Sequence, residues 1–226
     1  MTVYSHTLLA QYRNCPAKCR AMYFDKTYPK FKPTAETSRG RDHHNSLAKL
    51  ITGPADKAQD HEYWPLIQPI LEKRDEGAAL FVEREFTVNR DWQPCGRWDD
   101  DAYITGKPDV ALVRGACAYI PDWKTGNIRE DSAELELFAC LLKAYFPDLK
   151  TIGGMYIWLK EMQAGDYYDL SNVYGLQAST DRLISEIEAD ETWETNKTPL
   201  CFWCELDGCE YHAWGQDWGR RNGRTK

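Results

Sequence analysis

Long apolar segments are missing from this chain of 226 residues. A membrane-spanning helix needs roughly 20 consecutive apolar residues, and no stretch approaches that length, so we expect no helical membrane span. The first residues, MTVYSHTLLAQYRNCP, also lack a basic stretch followed by a long apolar one, which is the pattern of a secretory signal. We therefore expect a cytoplasmic protein of ordinary globular composition.

Positive charge is also in short supply. The chain has 28 Lys and Arg against 35 Asp and Glu, so its formal net charge is −7. Non-specific affinity for nucleic acid comes largely from Lys and Arg that neutralise phosphates. This balance excludes a protein that coats nucleic acid indiscriminately, but it agrees with an enzyme that binds nucleic acid locally and holds a cation among carboxylates.

Internal repeats and low-complexity segments are absent, and the hydrophobic pattern instead changes period along the chain. A helical period marks residues 38–51, 62–76, 131–145 and 176–187. Strand-like patterns mark residues 81–88, 103–113, 116–124 and 151–160, with 167–175 as a further candidate. This order predicts an α/β fold around a mixed sheet, and the length suits a single domain.

Two acidic residues and one lysine form the first candidate site. The segments GKPD and DWKTG flank a predicted hairpin, so Asp109 and Asp122 are expected on neighbouring strands. Two such carboxylates repel each other unless one is protonated or a cation lies between them, and Mg²⁺ prefers oxygen ligands. Lys124 lies on the same face as Asp122, where it can orient an attacking water or stabilise charge on a phosphate. The alternative is a surface ion pair between Asp122 and Lys124, which would contribute little.

The cysteines form a second pattern. In a reduced compartment the eight cysteines are not expected to form a disulfide framework. Three of them form a C-x-x-C-x-x-x-x-C run near the end of the chain: Cys201, Cys204 and Cys209. Three thiolates need a fourth ligand to close a tetrahedral or cubane site, and we favour Cys15 over Cys19 for it. His212 could complete a zinc site instead, because ligand type alone does not separate zinc from iron–sulfur.

In this order the motifs resemble those of the PD-(D/E)XK nucleases, and specifically of the RecB-type branch. Members of that branch carry G-x-x-D on one strand and D-x-K-T-G at the end of the next, which GKPD and DWKTG match. The similarity runs from about Tyr4 to Tyr211. It implies a restriction-endonuclease-like core, with a mixed central sheet flanked by helices, and a metal-dependent DNA nuclease that acts as an exonuclease in DNA recombination.

The resemblance also implies roles for particular residues. The branch places G-x-x-x-H on an upstream helix, and GRDHH supplies it, with His44 as a metal ligand and His43 as its competitor. Catalysis would rest on Asp109, Asp122 and Lys124, and Mg²⁺ or Mn²⁺ would be held by His44, Asp109, Asp122 and the backbone carbonyl of Trp123. The branch carries Q-x-x-x-Y on the following helix, whereas this chain has Glu134 and Phe138 there. Glu134 is therefore a candidate for supporting the substrate site.

Some members of the branch carry an iron–sulfur cluster, among them the AddB nuclease domain and the CRISPR-adaptation exonucleases. They use one cysteine before the nuclease core and three after it, and YRNCP looks like their N-terminal cysteine segment. The resemblance thus implies a [4Fe–4S] cluster on Cys15, Cys201, Cys204 and Cys209. It also implies one nuclease domain over 1–226, with a core over 38–190 and a cysteine-rich, cluster-binding subdomain formed by 1–37 and 191–212.

The implied partner is DNA, with single-stranded ends favoured, and a recombination or CRISPR-adaptation protein is a further candidate. A second hypothesis comes from another class of protein. Because Glu134 and Phe138 depart from the branch, the chain could be a catalytically degenerate protein that binds or scaffolds nucleic acid and holds a structural zinc or iron–sulfur site. Metal-dependent cleavage of DNA separates the two hypotheses.

Overall fold

The computed structural model describes residues 2–29, 34–128, 131–206, 208–221 and 223. The chain divides into two compact units, one formed by residues 33–180 and the other by 2–32 together with 181–226. Within the described ranges, no helix is both long enough and apolar enough to cross a membrane.

The helices and strands follow one another in blocks. The helices are α1 (His6–Asn14), α2 (Pro16–Cys19), α3 (Ala35–Thr52), α4 (Trp64–Asp75), α5 (Ala133–Tyr145), α6 (Val173–Ala189) and α7 (His212–Arg221). The strands are β1 (Ala79–Val82), β2 (Phe86–Val88), β3 (Ile104–Gly106), β4 (Val110–Arg114), β5 (Cys117–Lys124), β6 (Thr151–Trp158) and β7 (Gln163–Asp169).

A mixed sheet forms the centre of the first unit. Over the residues described, it has five strands in the order β1-β4-β5-β6-β7, while β2 and β3 form a separate two-stranded sheet. β5 and β6 pair in parallel, and the other neighbours in the large sheet pair antiparallel. The predicted α/β fold with a mixed central sheet is confirmed.

Helices cover both faces of this sheet. On one face, Leu47 and Ile51 of α3 and Ile67 of α4 are buried against Leu112 and Trp123 of the sheet. On the other face lies α5, whose apolar side chains recur at the helical period and are buried: Leu135, Phe138, Ala139 and Leu142. Because the two faces of β5 alternate, the strand that buries the Trp123 indole on one side presents Asp122 and Lys124 on the other.

Two strands predicted as continuous are each broken. The strand predicted over 103–113 ends at Gly106 and resumes at Val110 in a different sheet, because Pro108 has no backbone N–H to continue the ladder. The strand predicted over 81–88 breaks after Val82, where Glu83 takes a φ of 50°. Both breaks lie at the same end of the central sheet, where Val82 of β1 pairs with Val110 of β4.

The second unit is built from both ends of the chain. Ser5 caps α1, since its hydroxyl accepts a hydrogen bond from the backbone of Leu8. Tyr12 donates to Asp190 at 2.9 Å, and the Asn196 amide donates to the backbone of Asn14 at 3.0 Å. These bonds join segments that are more than 170 residues apart in sequence. The domain boundaries inferred above stay a prediction.

Candidate metal centre and active site

Asp109 and Asp122 come together at one end of the central sheet. The ladder between β4 and β5 pairs Leu112 with Tyr119 and Val113 with Ala118, and the same register, continued, places Asp109 opposite Asp122. Residues opposite each other on antiparallel strands point to the same face. Both carboxyl groups are buried, with 8 % of Asp109 and 3 % of Asp122 exposed.

Asp109 is held by two directed hydrogen bonds. One carboxylate oxygen lies 2.8 Å from Nδ1 of His44, and the other accepts from the backbone N–H of Trp123 at 2.8 Å. Helix α3 therefore contributes His44 to the site. The neighbouring His43 points elsewhere and lies 3.0 Å from the Tyr63 hydroxyl, so only one of the two histidines contacts Asp109.

The charge of His44 is set by its acidic neighbours. Burial disfavours the imidazolium and would lower the pKa of His44, but the hydrogen bond to Asp109 opposes it. The negative charges of Asp109, Asp122 and Glu83 act in the same direction as that bond, and together they raise the pKa of His44 above its ordinary value.

Lys124 lies between two carboxylates. Its Nζ is 2.6 Å from Oδ2 of Asp122 and 2.6 Å from Oε2 of Glu134. Burial alone would lower the pKa of Lys124, but these two carboxylates outweigh it and raise the pKa. Lys124 is therefore an ammonium group at neutral pH. Glu134, at the start of α5, holds it in place through a hydrogen bond.

The surroundings of Asp122 disfavour the ionised form of its carboxyl group. Burial, reinforced by the charge of Asp109, raises the pKa of Asp122 to about 7. Its Oδ2 lies 2.6 Å from Nζ of Lys124, and this ion pair opposes the effect of burial and of Asp109 on the pKa without cancelling it. Among the described residues, the group at this site whose ligand atoms lie within 4.8 Å of one another is His44, Glu83 and Asp109, and Asp122 is not part of it. Carboxylate oxygens such as those of Asp109 and Glu83 are the ligands that a hard divalent cation such as Mg²⁺ or Mn²⁺ prefers.

Glu83 is a further acidic residue at this site that sequence reasoning missed. Ligand atoms of His44, Glu83 and Asp109 all lie within 4.8 Å of one another. The backbone N–H of Glu83 donates to the carbonyl of Asp109 at 3.0 Å, and its carboxylate pairs with Lys107. In the sequence, Glu83 and Glu85 interrupt the apolar pattern of FVEREFTV. This pattern alone does not predict where the side chain of Glu83 lies in the folded protein.

An open cleft of about 1070 Å³ leads to these residues. His44, Glu83 and Asp109 lie in its wall. Four cationic side chains line the same cleft: Arg39, Arg41, Lys107 and Lys160. Although the chain has a net charge of −7, this cleft places positive charge beside its acidic residues, and that raises the local concentration of anionic ligands.

The four cysteines of the predicted cluster lie in the second unit. Burial raises the pKa of Cys209, and the charges of Cys204, Cys201 and Cys15 raise it further, so the four thiols are electrostatic neighbours. In the described part of the chain, no three of them lie within 4.8 Å of one another. Cys19 differs, because it is fully buried, donates to the carbonyl of Leu8 and has a pKa raised by burial to about 12.

Comparisons with known proteins bear on the family of this chain. The family model described as the PD-(D/E)XK nuclease superfamily matches residues 3–214. No curated protein matches the chain. The solved structure described as "Crystal structure of SSO0001" is similar at 13 % sequence identity and a TM-score of 0.41, over 94 % of this chain and 84 % of that chain. A similarity that low carries no conclusion about fold or function.

Proposed function

The chain belongs to the PD-(D/E)XK nuclease superfamily, and on that premise we propose that it is a metal-dependent DNA exonuclease of the RecB-type branch. The observation that carries the proposal is the buried pair Asp109 and Asp122, next to the ammonium group of Lys124. Two carboxylates so placed need a counter-charge in addition to Lys124, since Lys124 is shared with Glu134.

We propose that this counter-charge is Mg²⁺ or Mn²⁺. Its ligands would be His44, Asp109, Asp122 and the backbone carbonyl of Trp123, with Glu83 as an additional carboxylate. A divalent ion bound there would lower the pKa of bound water and neutralise charge on a phosphoryl oxygen. Burial and the charge of Asp109 raise the pKa of Asp122, and this conflict between two neighbouring carboxyl groups supports the assignment.

Lys124 is proposed to act as a cation and not as a base. Because Asp122 and Glu134 raise its pKa, Lys124 keeps its proton at neutral pH. An ammonium group in this position donates hydrogen bonds to the attacking water or to a phosphoryl oxygen as negative charge develops on it. Glu134 would then serve the site by holding Lys124 in place.

DNA is the proposed substrate because of the charges around the cleft. The side chains of Arg39, Arg41 and Lys160 line it, and cations in a cleft bind phosphates while the rest of an acidic surface repels them. The cleft is open to solvent, so a single-stranded end can enter it. Association with a recombination or CRISPR-adaptation protein stays a prediction.

The cysteines are proposed to hold a [4Fe–4S] cluster. Cys15 precedes the nuclease core and three cysteines follow it, which is the arrangement that the cluster-bearing members of the RecB-type branch use. Burial raises the pKa of Cys209, and the other three cysteines raise it further, so the four side chains are close enough to act on one another. Cys15 is favoured over Cys19, whose thiol is buried and difficult to deprotonate, and His212 is exposed. Anaerobic purification followed by iron, sulfide and zinc analysis tests the assignment, and zinc without iron would contradict it.

The activity is tested with end-labelled single- and double-stranded DNA in Mg²⁺ or Mn²⁺. We expect progressive loss of nucleotides from an end, reduced roughly 100-fold or more in Asp109→Asn and Lys124→Ala. Lys150→Ala, which changes an exposed lysine, is the matched control and should cleave normally. Full activity in Lys124→Ala would refute the assigned role. Binding of DNA without cleavage in either metal would favour the degenerate scaffolding protein instead.

A further inference from the structure

A second, smaller pocket lies on the face of the sheet that carries Asp122 and Lys124. It has a volume of about 120 Å³. Three of its eight described lining residues are aromatic: Tyr156 and Trp158 of β6 are buried, and Tyr168 of β7 is partly exposed. Ile128, half exposed at its rim, belongs to the loop that follows DWKTG.

The sheet register connects this pocket to the catalytic residues. In the parallel ladder between β5 and β6, Asp122 is paired with Tyr156 and Lys124 with Trp158. Paired residues on neighbouring strands share a face. Tyr156 and Trp158 therefore lie beside Asp122 and Lys124 on the same face of the sheet. The Nζ of Lys124 lies 5.0 Å from the centre of the Tyr156 ring.

The same loop borders both the cleft and the pocket. Thr125 and Gly126 line the cleft, and Ile128 lines the pocket. Three residues of extended chain span at most about 11 Å. A single nucleic-acid strand is long enough to have its phosphate in the cleft and a neighbouring group in the pocket.

A β-bulge in the ladder between β6 and β7 shapes the pocket. The register shifts between Met155 and Ile157, so that two residues of β7, Gly165 and Asp166, face Tyr156. Bulges of this kind re-aim side chains and occur next to active sites. Gly165 is required there, because a Cβ would lie 2.9 Å from Nε1 of the Trp158 indole.

The chemistry of the pocket suits a nucleobase better than a phosphate. Among the described residues that line it there is no lysine or arginine, and Asp166 adds negative charge, whereas Arg39, Arg41 and Lys160 line the cleft. A base can stack on the ring of Tyr168, the one of the three that is only partly buried. The amide of Gln163 and the carboxylate of Asp166 supply hydrogen-bonding groups for the edge of a base.

We propose that this pocket binds one unstacked nucleobase of the strand whose phosphate lies at the metal centre. The proposal rests on the proposed nuclease function, and it makes single-stranded nucleic acid the ligand of this face. A base paired in a duplex is not free to enter, so the strand must be single or frayed at the point of cleavage.

The test uses labelled single-stranded oligonucleotides that differ only in the position of one abasic site. Binding is measured by fluorescence anisotropy in metal-free buffer, and single-turnover cleavage is measured in Mn²⁺. For the wild-type protein we expect one abasic position to weaken binding or slow cleavage roughly 5- to 100-fold. Tyr168→Leu should lose that dependence, and Tyr168→Phe should keep it because the ring remains.

Tyr167→Leu is the matched control, since Tyr167 is the neighbouring residue of β7 and is 57 % exposed. It should behave as the wild-type protein does. An equal response to every abasic position, or an unchanged dependence in Tyr168→Leu, would overturn the pocket assignment while leaving cleavage intact. A position-dependent binding loss in a protein that never cleaves would uphold the pocket and refute the nuclease function, so the two failures are distinguishable.

Discussion

At the scale of single residues, the raised pKa of Asp122 makes the stability of the folded protein depend on pH. Burial and the charge of Asp109 raise the pKa of this carboxyl group from 3.8 to about 7. A group whose pKa is raised by folding stabilises the protein below its unfolded-state pKa and loses that contribution as the pH rises through the folded-state pKa. For Asp122 the window therefore runs from about pH 4 to about pH 8.

The first prediction concerns the stability of the metal-free protein. Its free energy of unfolding should fall by on the order of a few kcal/mol between pH 4 and pH 8, because the carboxylate of Asp122 forms in a buried position next to Asp109. Asp122→Asn should flatten this profile. Urea denaturation across the pH range measures it, with Asp60→Asn, an exposed position, as the control. Identical slopes for wild type and Asp122→Asn would contradict the coupling.

The second prediction concerns Glu83. Its carboxylate lies with His44 and Asp109, so Glu83→Gln should weaken Mn²⁺ binding about 10-fold or more. Electron paramagnetic resonance of free Mn²⁺ during a titration measures the dissociation constant without relying on activity. The control is Glu85→Gln, two residues away and exposed. A wild-type dissociation constant in Glu83→Gln would exclude this residue from the metal centre.

At the scale of elements, helix α3 packs closely against the loop that follows β5, and this packing positions His44. Gly40 lies one helical turn before His44, and a Cβ at Gly40 would be 3.2 Å from the Thr125 hydroxyl oxygen. That distance is tighter than ordinary van der Waals contact, so a side chain here would press the helix and the loop apart. The glycine therefore serves close packing and not backbone flexibility.

The third prediction follows from this contact. Gly40→Ala should slow cleavage roughly 10-fold, because catalytic groups tolerate little displacement. Its stability should be unchanged or up to about 1 kcal/mol higher, since alanine favours a helix interior. Removing the hydroxyl in Gly40→Ala/Thr125→Ala should restore the rate. Cleavage kinetics and thermal unfolding of the wild type and the two variants decide it, and a double variant as slow as Gly40→Ala would disprove the steric explanation.

At the scale of the whole molecule, the proposed cluster would connect the two ends of the chain. Cys15 lies between α1 and α2, and Cys201 lies in a short helical turn before α7. A cluster that clamps Cys15 to Cys201 closes a loop of nearly the whole chain. By analogy with disulfides, such a closure stabilises the folded state by roughly 5 kcal/mol through the entropy of the unfolded chain.

The fourth prediction tests this closure. Cys204→Ser should lose bound iron and unfold at a markedly lower denaturant concentration than the wild-type protein, both purified without oxygen. Cys117→Ser changes an exposed cysteine and should retain both iron and stability. Loss of iron without any loss of stability would show that the cluster does not hold the ends of the chain together.

The sequence by itself determined the features that depend on neighbouring residues. Asp122 and Lys124 share a face because they are two apart on a strand. The hairpin predicted at Arg114 and Gly115 forms one residue later, at Gly115, which has a φ of 57°, and Ala116, because Arg114 still pairs with Cys117. The buried side of α5 follows its helical period. These features were predictable because the period of a strand or a helix is a local property of the backbone.

Only the tertiary structure decided how distant segments meet. The contact of His44, and not His43, with Asp109 joins residues 65 positions apart. The same holds for the entry of Glu83 into the site and for the break at Pro108 that separates β3 from β4. No periodic pattern reports such contacts, because they are set by strand register, by burial and by the packing of α3 over the end of the sheet. The charge state of Asp122 likewise arises from burial and from Asp109, neither of which exists before the chain has folded.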